Sequence, residues 1–357
     1  MTAMTTNSFN QSNATPVPAE NGTEKSDDSD WNKFHELFES FNIMSIVVFS
    51  LVSVIGVLGN GVVIWVTGFK MKTTVNTVWY LNLAVADFIF AAFLPLTVTS
   101  LVLESHWPFG KFMCKLSTTV TFLNMFASVY ILVVISVDRC VSVMWPVWAQ
   151  NHRNVHKASC VSLAGWAVAL IVKAPYFFFM DTEQESADKI ICYDTLFDFI
   201  TRSHNMFRLQ AIVIFHFFLG FGVPFTAIVS CYAVIIHRLR KSSALASQSS
   251  RSFKIITAII GTFFLCWAPF HIMCLIELEI FTAETPSEIL LYIFAVGMPL
   301  ATNLAVLNSC INPLLYVFIR QDFKDQVRKS ILNVLETAFQ EEETRTLTAH
   351  QTEQIEL

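Results

Sequence analysis

Over most of this chain apolar positions run together instead of alternating with polar ones at helix or strand spacing. The stretch from Ile46 to Trp65 carries no charge and is apolar nearly all round, whereas a helix of a soluble protein shows an apolar stripe with a charged face opposite. Crossing the roughly 30 Å hydrocarbon layer takes about 20 such residues, wound as a helix so that every backbone N–H and C=O is satisfied within the segment. Seven segments qualify, over 43–69, 76–103, 111–144, 158–180, 206–240, 251–280 and 288–318, with short polar connectors between them. The pattern predicts an all-α membrane protein, a seven-transmembrane helix bundle over 43–318. Beyond it, Phe323, Val327 and Ile331 set against Lys324, Arg328 and Lys329 predict a short amphipathic helix over 319–336, lying on the cytoplasmic membrane surface. Residues 337–357 read as a disordered cytoplasmic tail.

Composition agrees: 54% of residues are apolar and 14% charged, far from the near-quarter charged share of soluble domains. Charge placement gives the orientation, because basic residues in short loops stay on the cytoplasmic side. Lys70, Lys72, Arg139, Arg153, Lys157, Arg238, Arg240, Lys241 and Arg320 fall at one end of the segments, and Asp181, Glu183, Glu185 and Asp188 at the other. Residues 1–42 are thus expected to be an acidic extracellular N-terminus. Their sequons at Asn10, Asn13 and Asn21 are candidates for glycosylation. No apolar core of a cleavable signal peptide stands in residues 1–30, so the first helix is expected to direct insertion at the plasma membrane.

Of the eight cysteines, Cys114 and Cys192 are the two expected in extracellular positions. The oxidising exterior favours their pairing as a disulfide, the alternative being two free thiols. No metal-ligand spacing joins the other six.

Polar side chains at membrane depth are costly and mark candidate sites. Asn60, Asp87, Ser128, Asn308 and Asn312 fall near mid-span of four helices, where one cluster would satisfy them all. Asp87 among hydroxyl and amide oxygens offers hard ligands to a small cation such as sodium; the alternative is a structural hydrogen-bond network that glues helices together. Pro269, two residues beyond Trp267, predicts a kink in the sixth helix.

These residues, with Asp138-Arg139-Cys140, Trp166, Cys266-Trp267-Ala268-Pro269, Pro224, Tyr232 and Asn312-Pro313-x-x-Tyr316, resemble the marks of rhodopsin-like G-protein-coupled receptors across roughly residues 43–335. The resemblance implies that Arg139 pairs with Asp138 at rest and is released toward a G protein when the sixth helix swings out. It also implies that Val129, Pro224 and Phe263 form a packing switch beneath Trp267, while the residues themselves, and not the resemblance, make Asp87 a candidate for an allosteric sodium ion. No other cofactor is expected. Cys140 departs from the usual Tyr at its position.

Trp107-Pro108-Phe109-Gly110, Leu123-Asn124-Met125-Phe126-Ala127-Ser128, Pro146-Val147-Trp148-Ala149-Gln150-Asn151-His152-Arg153 and Gln321-Asp322-Phe323-Lys324 are similar to the chemoattractant branch: receptors for chemerin, formyl peptides and prostaglandin D. By that likeness Phe122, His216, Phe270, His271 and Glu277 line the ligand pocket. Phe122 and Ile212 stand where formyl-peptide receptors carry an acid and an arginine, and Met180 where chemerin and prostaglandin relatives carry an arginine. His216 matches a cation of those relatives and is the candidate for a ligand carboxylate, the alternative being a histidine bonded within the bundle. Lys173, near the end of the fourth helix, is expected to snorkel to the interface, the alternative being that it faces the pocket.

No nucleophile, base and orienter set and no phosphate-binding glycine loop points to an enzyme, and no internal repeat points to a transporter. The expected function is a chemerin-like peptide or small-protein receptor acting through inhibitory-class heterotrimeric G proteins, with arrestin and membrane lipids as further partners and no nucleic acid. The alternatives are a receptor for a lipid mediator of prostaglandin D type, and an arrestin-only scavenging receptor.

Overall fold

The structure is a computed structural model that describes residues 24–195, 206–241, 243–283, 285–319, 325–329, 332 and 340; residues 24–35, 175, 176, 206–209, 243–255 and 316–319 are described by backbone alone. Among the described residues seven helices are long and apolar enough to cross a membrane. They are α1 (Glu24–Trp65, prolonged by a π turn at Val66–Lys70), α2 (Val75–Val102), α3 (Gly110–Met144), α4 (Val155–Phe179), α5 (Met206–Phe217, a π turn at Phe218–Gly222, then Val223–Arg240), α6 (Ser243–Thr282) and α7 (Glu288–Ile319).

The expected spans hold to within a few residues except where polar sequence continues a helix. α1 begins at Glu24 instead of residue 43, because no proline or glycine interrupts residues 24–55 and Glu, Lys and Leu are good helix formers. The connector between α3 and α4 holds a further short helix, Pro146–His152, with Pro146 at its first turn, where a missing N–H costs nothing. α2 opens on a capping box: Thr74 Oγ1 accepts from Thr77 N, and Thr77 Oγ1 accepts from Thr74 N at 2.7 Å.

Among the described residues the all-α bundle carries one short non-helical element. Strands β1 (Met180–Ser186) and β2 (Lys189–Asp194) form an antiparallel hairpin after α4, with Thr182 opposite Cys192. Cys114 at the start of α3 is bonded to Cys192, which fastens the hairpin over one end of the bundle. Trp107 N–H donates to Ile190 O at 2.7 Å, and Lys111 Nζ donates to Asp181 Oδ2 at 2.8 Å. That ammonium holds the Asp181 carboxyl below the usual carboxylate range. The strongly polar β1 carries no apolar alternation that would announce a strand.

Burial is inverted relative to a soluble protein. Leu58, Leu163, Ile171, Phe178, Leu265 and Ile289 face outward, and Asn60, Asp87, Asn124, Ser128, Asn308 and Asn312 are buried. α3 is the axis: 61% of its central window is enclosed, against 17% for α4 and for α5. Of the amphipathic segment expected at 319–336, residues 325–329 are helical. Most of the rest of it, Asn10, Asn13 and Asn21, and nearly all of the 337–357 tail lie outside the described residues.

α1 and α2 approach closely at Gly56, where an added Cβ would lie 2.8 Å from Ala91 Cβ. Neither carbon can yield without moving a helix. Gly56→Ala should lower the melting temperature of the solubilised protein through roughly 1–3 kcal/mol of overpacking. Gly61→Ala, whose Cβ would meet Phe88 at an ordinary 3.6 Å, should leave it nearly unchanged.

Candidate functional site

Asp87 lies on the inward face of α2, four residues beyond buried Leu83, and is fully enclosed. Its two oxygens are taken by two other helices: Asn124 Nδ2 of α3 donates to Oδ1 at 2.9 Å, and Asn312 Nδ2 of α7 donates to Oδ2 at 2.8 Å. Asn60 of α1 joins by donating to Ser309 O of α7 at 2.8 Å. The five residues expected at mid-depth are therefore buried on α1, α2, α3 and α7 as anticipated, with Asn124 and Ser309 added. Asn124 was legible as the residue one turn before Ser128 on the same face of α3.

Oxygens of Asn60, Asn124, Ser128, Asn308, Ser309 and Asn312 in this region are buried without a hydrogen-bond partner among the described residues. Buried polar atoms are ordinarily satisfied by protein, water or an ion. One carboxylate with amide and hydroxyl oxygens fits a hard monovalent cation better than a transition metal. Among the described residues no three His, Cys, Asp or Glu side chains gather that could hold a metal otherwise.

At the opposite end of α3 from the disulfide, the expected Asp138–Arg139 ion pair is present but shared with a second arginine. The Asp138 carboxylate is gripped by Arg153, whose Nε and Nη2 donate to its two oxygens at 2.8 and 2.9 Å. Arg139 Nε stands 3.9 Å from the same group, a through-space pair and not a hydrogen bond. Arg139 Nη2 instead donates to Asn76 Oδ1, which also takes Arg153 Nη2 at 2.7 Å. A bidentate fork is the stronger claim on a carboxylate, so Arg153 displaces Arg139 as the main partner. Tyr232 of α5 stands beside Thr257 of α6 nearby. For Tyr316 only the backbone is described.

Next to Ser128 on α3 an aromatic column begins. Val129, Phe263 and Trp267 belong to one buried cluster, with Phe263 6.1 Å and Phe270 5.9 Å from Trp267. Pro224 is buried at the start of the second part of α5. It has no N–H to offer the Gly220 carbonyl, and the π turn at Phe218–Gly222 absorbs that lost bond. Gly220 is needed there, because a Cβ would come within 3.2–3.3 Å of Phe126, His271 and Met125. Pro269 and Pro313 lie inside α6 and α7.

The expected pocket residues are only partly brought together. Phe122 lines a cavity of about 120 Å³ with Phe90, Thr121, Met180, Cys192 and Thr302, roofed by the hairpin. His216 packs 6.1 Å from Phe126, and its Nδ1 meets Ile212 O at 2.9 Å, so that nitrogen is the donor. His271 packs edge-on or tilted against Phe217, Phe221 and Phe270, and Glu277 is half-buried about 9 Å further along α6. Lys173 overturns the snorkelling expectation. It is 1% exposed, with Nζ 4.3 Å above the Phe122 ring and 4.4 Å above Phe126. A cation above two ring faces is held electrostatically where water is excluded, an arrangement that residue spacing alone does not reveal.

Comparison with known proteins gives the same picture. The family model described as 7 transmembrane receptor (rhodopsin family) matches residues 59–316. The chain is 43% identical over 279 residues to Chemerin-like receptor 1 of Rattus norvegicus, covering 75% of this chain and 73% of that one. It is 42% identical over 299 residues to the C3a anaphylatoxin chemotactic receptor of Danio rerio, covering 84% and 78%. Formyl peptide receptor-related sequence 4 of Mus musculus is 38% identical over 291 residues, covering 80% and 88%.

The fork sets a test of which arginine holds Asp138. Asp138→Asn and Arg153→Gln, made singly and together, should be non-additive in thermal stability by roughly 0.5–3 kcal/mol. The cycle with Arg139→Gln should couple less; equal coupling would return the carboxylate to Arg139.

Proposed function

Since the chain belongs to the rhodopsin family of seven-transmembrane receptors, we propose that it is a chemoattractant-type receptor for a peptide or small protein, acting through an inhibitory-class heterotrimeric G protein. Members of this family are receptors and not enzymes. The observation that carries the ligand class is the hairpin, whose Glu183, Glu185 and Asp188 stand exposed above the cavity that Phe122 lines. An acidic mouth attracts a cationic ligand and raises its encounter rate. The likeness to proteins named for chemerin, C3a and formyl peptide supports the same class.

In this reading the N-terminus and hairpin are extracellular and the Arg139 end is cytoplasmic, in keeping with Lys70, Lys72, Arg153, Lys157, Arg238 and Arg240 at that end. Ligand binding shifts an existing equilibrium between helix arrangements. α6 moves about its Pro269 kink, the Tyr232–Thr257 contact between α5 and α6 opens, and Arg139 leaves Asn76 for the G protein. Asp138 need not be stripped of its partner for this, because Arg153 retains it. Arrestin would engage a phosphorylated tail, whose Thr344, Thr346, Thr348 and Thr352 lie outside the described residues.

A sodium ion is proposed at Asp87, held with oxygens of Asn60, Asn124, Ser128, Asn308, Ser309 and Asn312. When bound it would supply the positive charge that compensates the buried carboxylate.

A second reading, an acidic lipid mediator, is favoured by one observation, the buried Lys173 beside Phe122. His216 lies against the same Phe126. His216→Ala should weaken a carboxylate-bearing agonist by about 1–3 kcal/mol, and unchanged potency would remove His216 from the site.

Nucleotide exchange by an inhibitory-class G protein, in cells expressing the chain and challenged in parallel with chemerin-type peptides, formyl peptides and prostaglandin D, separates the readings. A peptide response abolished by Arg139→Ala is expected. Ligand binding without exchange would make it an arrestin-only scavenging receptor. Agonist affinity should fall when sodium replaces choline as the buffer cation, and Asp87→Asn should erase that difference; a sodium effect that survives the substitution would displace the ion from Asp87.

A further inference from the structure

Near the Asp138 end a cleft of about 370 Å³ opens between α2, α3, α4 and the short helix Pro146–His152. Its wall is apolar: Val75 and Trp79 from α2, Val134 and Val137 from α3, and Val161 from α4. Val137 and Val161 are 45% and 43% exposed, so the wall continues into the lipid-facing surface. The other side of the cleft is basic. His152 and Lys157 are exposed on it, and Arg153 lines it part-buried beside Asp138. Trp79 adds a buried Nε1–H that meets no acceptor among the described residues.

An amphiphile with an apolar tail and a negative head fits this division. Arg153 already has Asp138 as its counter-charge, but a neutral sterol would offer exposed Lys157 none, and a soluble anion would leave the valine wall bare. In the proposed orientation the cleft faces the cytoplasmic leaflet, the one that carries anionic lipids. We propose that the cleft is a binding site for an anionic phospholipid of that leaflet, its acyl chain along the Val75–Val134–Val161 wall and its phosphate at Lys157 and Arg153. Arg153 is then shared between the lipid and the Asp138 fork, so occupancy bears on the switch as well as on anchoring. Lipid retention is a property separate from ligand class and G-protein coupling, and it can be read without either.

The full chain is reconstituted in nanodiscs of equal parts phosphatidylcholine and phosphatidylserine, and the lipids retained on extraction are counted by native mass spectrometry. Both leaflets carry serine lipid, so the result does not hinge on orientation. Wild type should retain phosphatidylserine preferentially. Lys157→Gln should cut that preference roughly fivefold, the effect of one cation at an anionic surface, and Val161→Trp should do likewise by filling the cleft with the charges intact. Lys241→Gln removes an exposed cation at the same end of the bundle, outside the cleft, and should leave the preference unchanged. Equal retention of the two lipids by wild type would reduce the cleft to annular contact. An equal loss in Lys241→Gln, or none in Lys157→Gln and Val161→Trp with their melting temperatures preserved, would likewise overturn the site.

Discussion

Hydrocarbon cannot solvate a carboxylate, and the packing of four helices follows from how this chain meets that constraint at Asp87. Placed at mid-depth, the side chain has to be satisfied by neighbours that are themselves polar. Asn124 from α3 and Asn312 from α7 supply an N–H to each oxygen. Asn60 reaches α7 backbone at Ser309 and brings in α1. In a bilayer apolar burial barely distinguishes one helix contact from another, because lipid tails are as apolar as leucine. Directional bonds of this kind therefore fix the register among α1, α2, α3 and α7. Trp166 donating to Asn82 and Asn303 donating to Ser45 do the same for α4 with α2 and for α7 with α1.

With register set at mid-depth, α3 carries constraints to both ends. At one, the Cys114–Cys192 bond and Trp107 hold the hairpin across the bundle. At the other, Asp138 is tied through Arg153 to the connector before α4, and Asn76 of α2 takes both arginines. The two anchors differ in kind. A disulfide does not exchange partners on the timescale of helix motion, whereas a charged fork can be exchanged for another anion. The Asp138 end of α3 is thus the one held by exchangeable contacts.

The helices were legible because apolar runs of this length admit one interpretation in a membrane. The mid-depth polar set was legible because such residues are rare there. What escaped depends on pairing across the chain. The reach of Arg153 to Asp138 spans a turn of the connector that no periodicity encodes. The hairpin arises where a polar segment is tethered at one point, and β1 lacks the alternation that announces strands. Lys173 was assigned to the interface because a lone lysine near a helix end usually extends there; two phenylalanines one turn apart on α3, Phe122 and Phe126, offered it a closer place. α1 outran its apolar segment because helix formation is set by propensity and breakers as well as by lipid.

The same local rule links the Lys173 region to Trp267. Phe126 contacts Lys173 and His216, and its ring is one of the groups that a side chain at Gly220 would strike. Gly220 lies in the π turn that Pro224 forces on α5, and that turn brings Phe217 and Phe221 against His271 of α6. His271 meets Phe270 edge to face, Phe270 meets Trp267 in the same way, and Trp267 leads to Phe263, in the cluster with Val129. A ligand group that displaced Lys173 or either ring beneath it would therefore press on aromatic neighbours packed at ring-contact distance as far as Trp267, two residues before Pro269 of α6. Close-packed rings relieve such a displacement by changing rotamer or by moving a helix, not by compressing, and Pro269 marks where α6 has the least backbone bonding to oppose that movement.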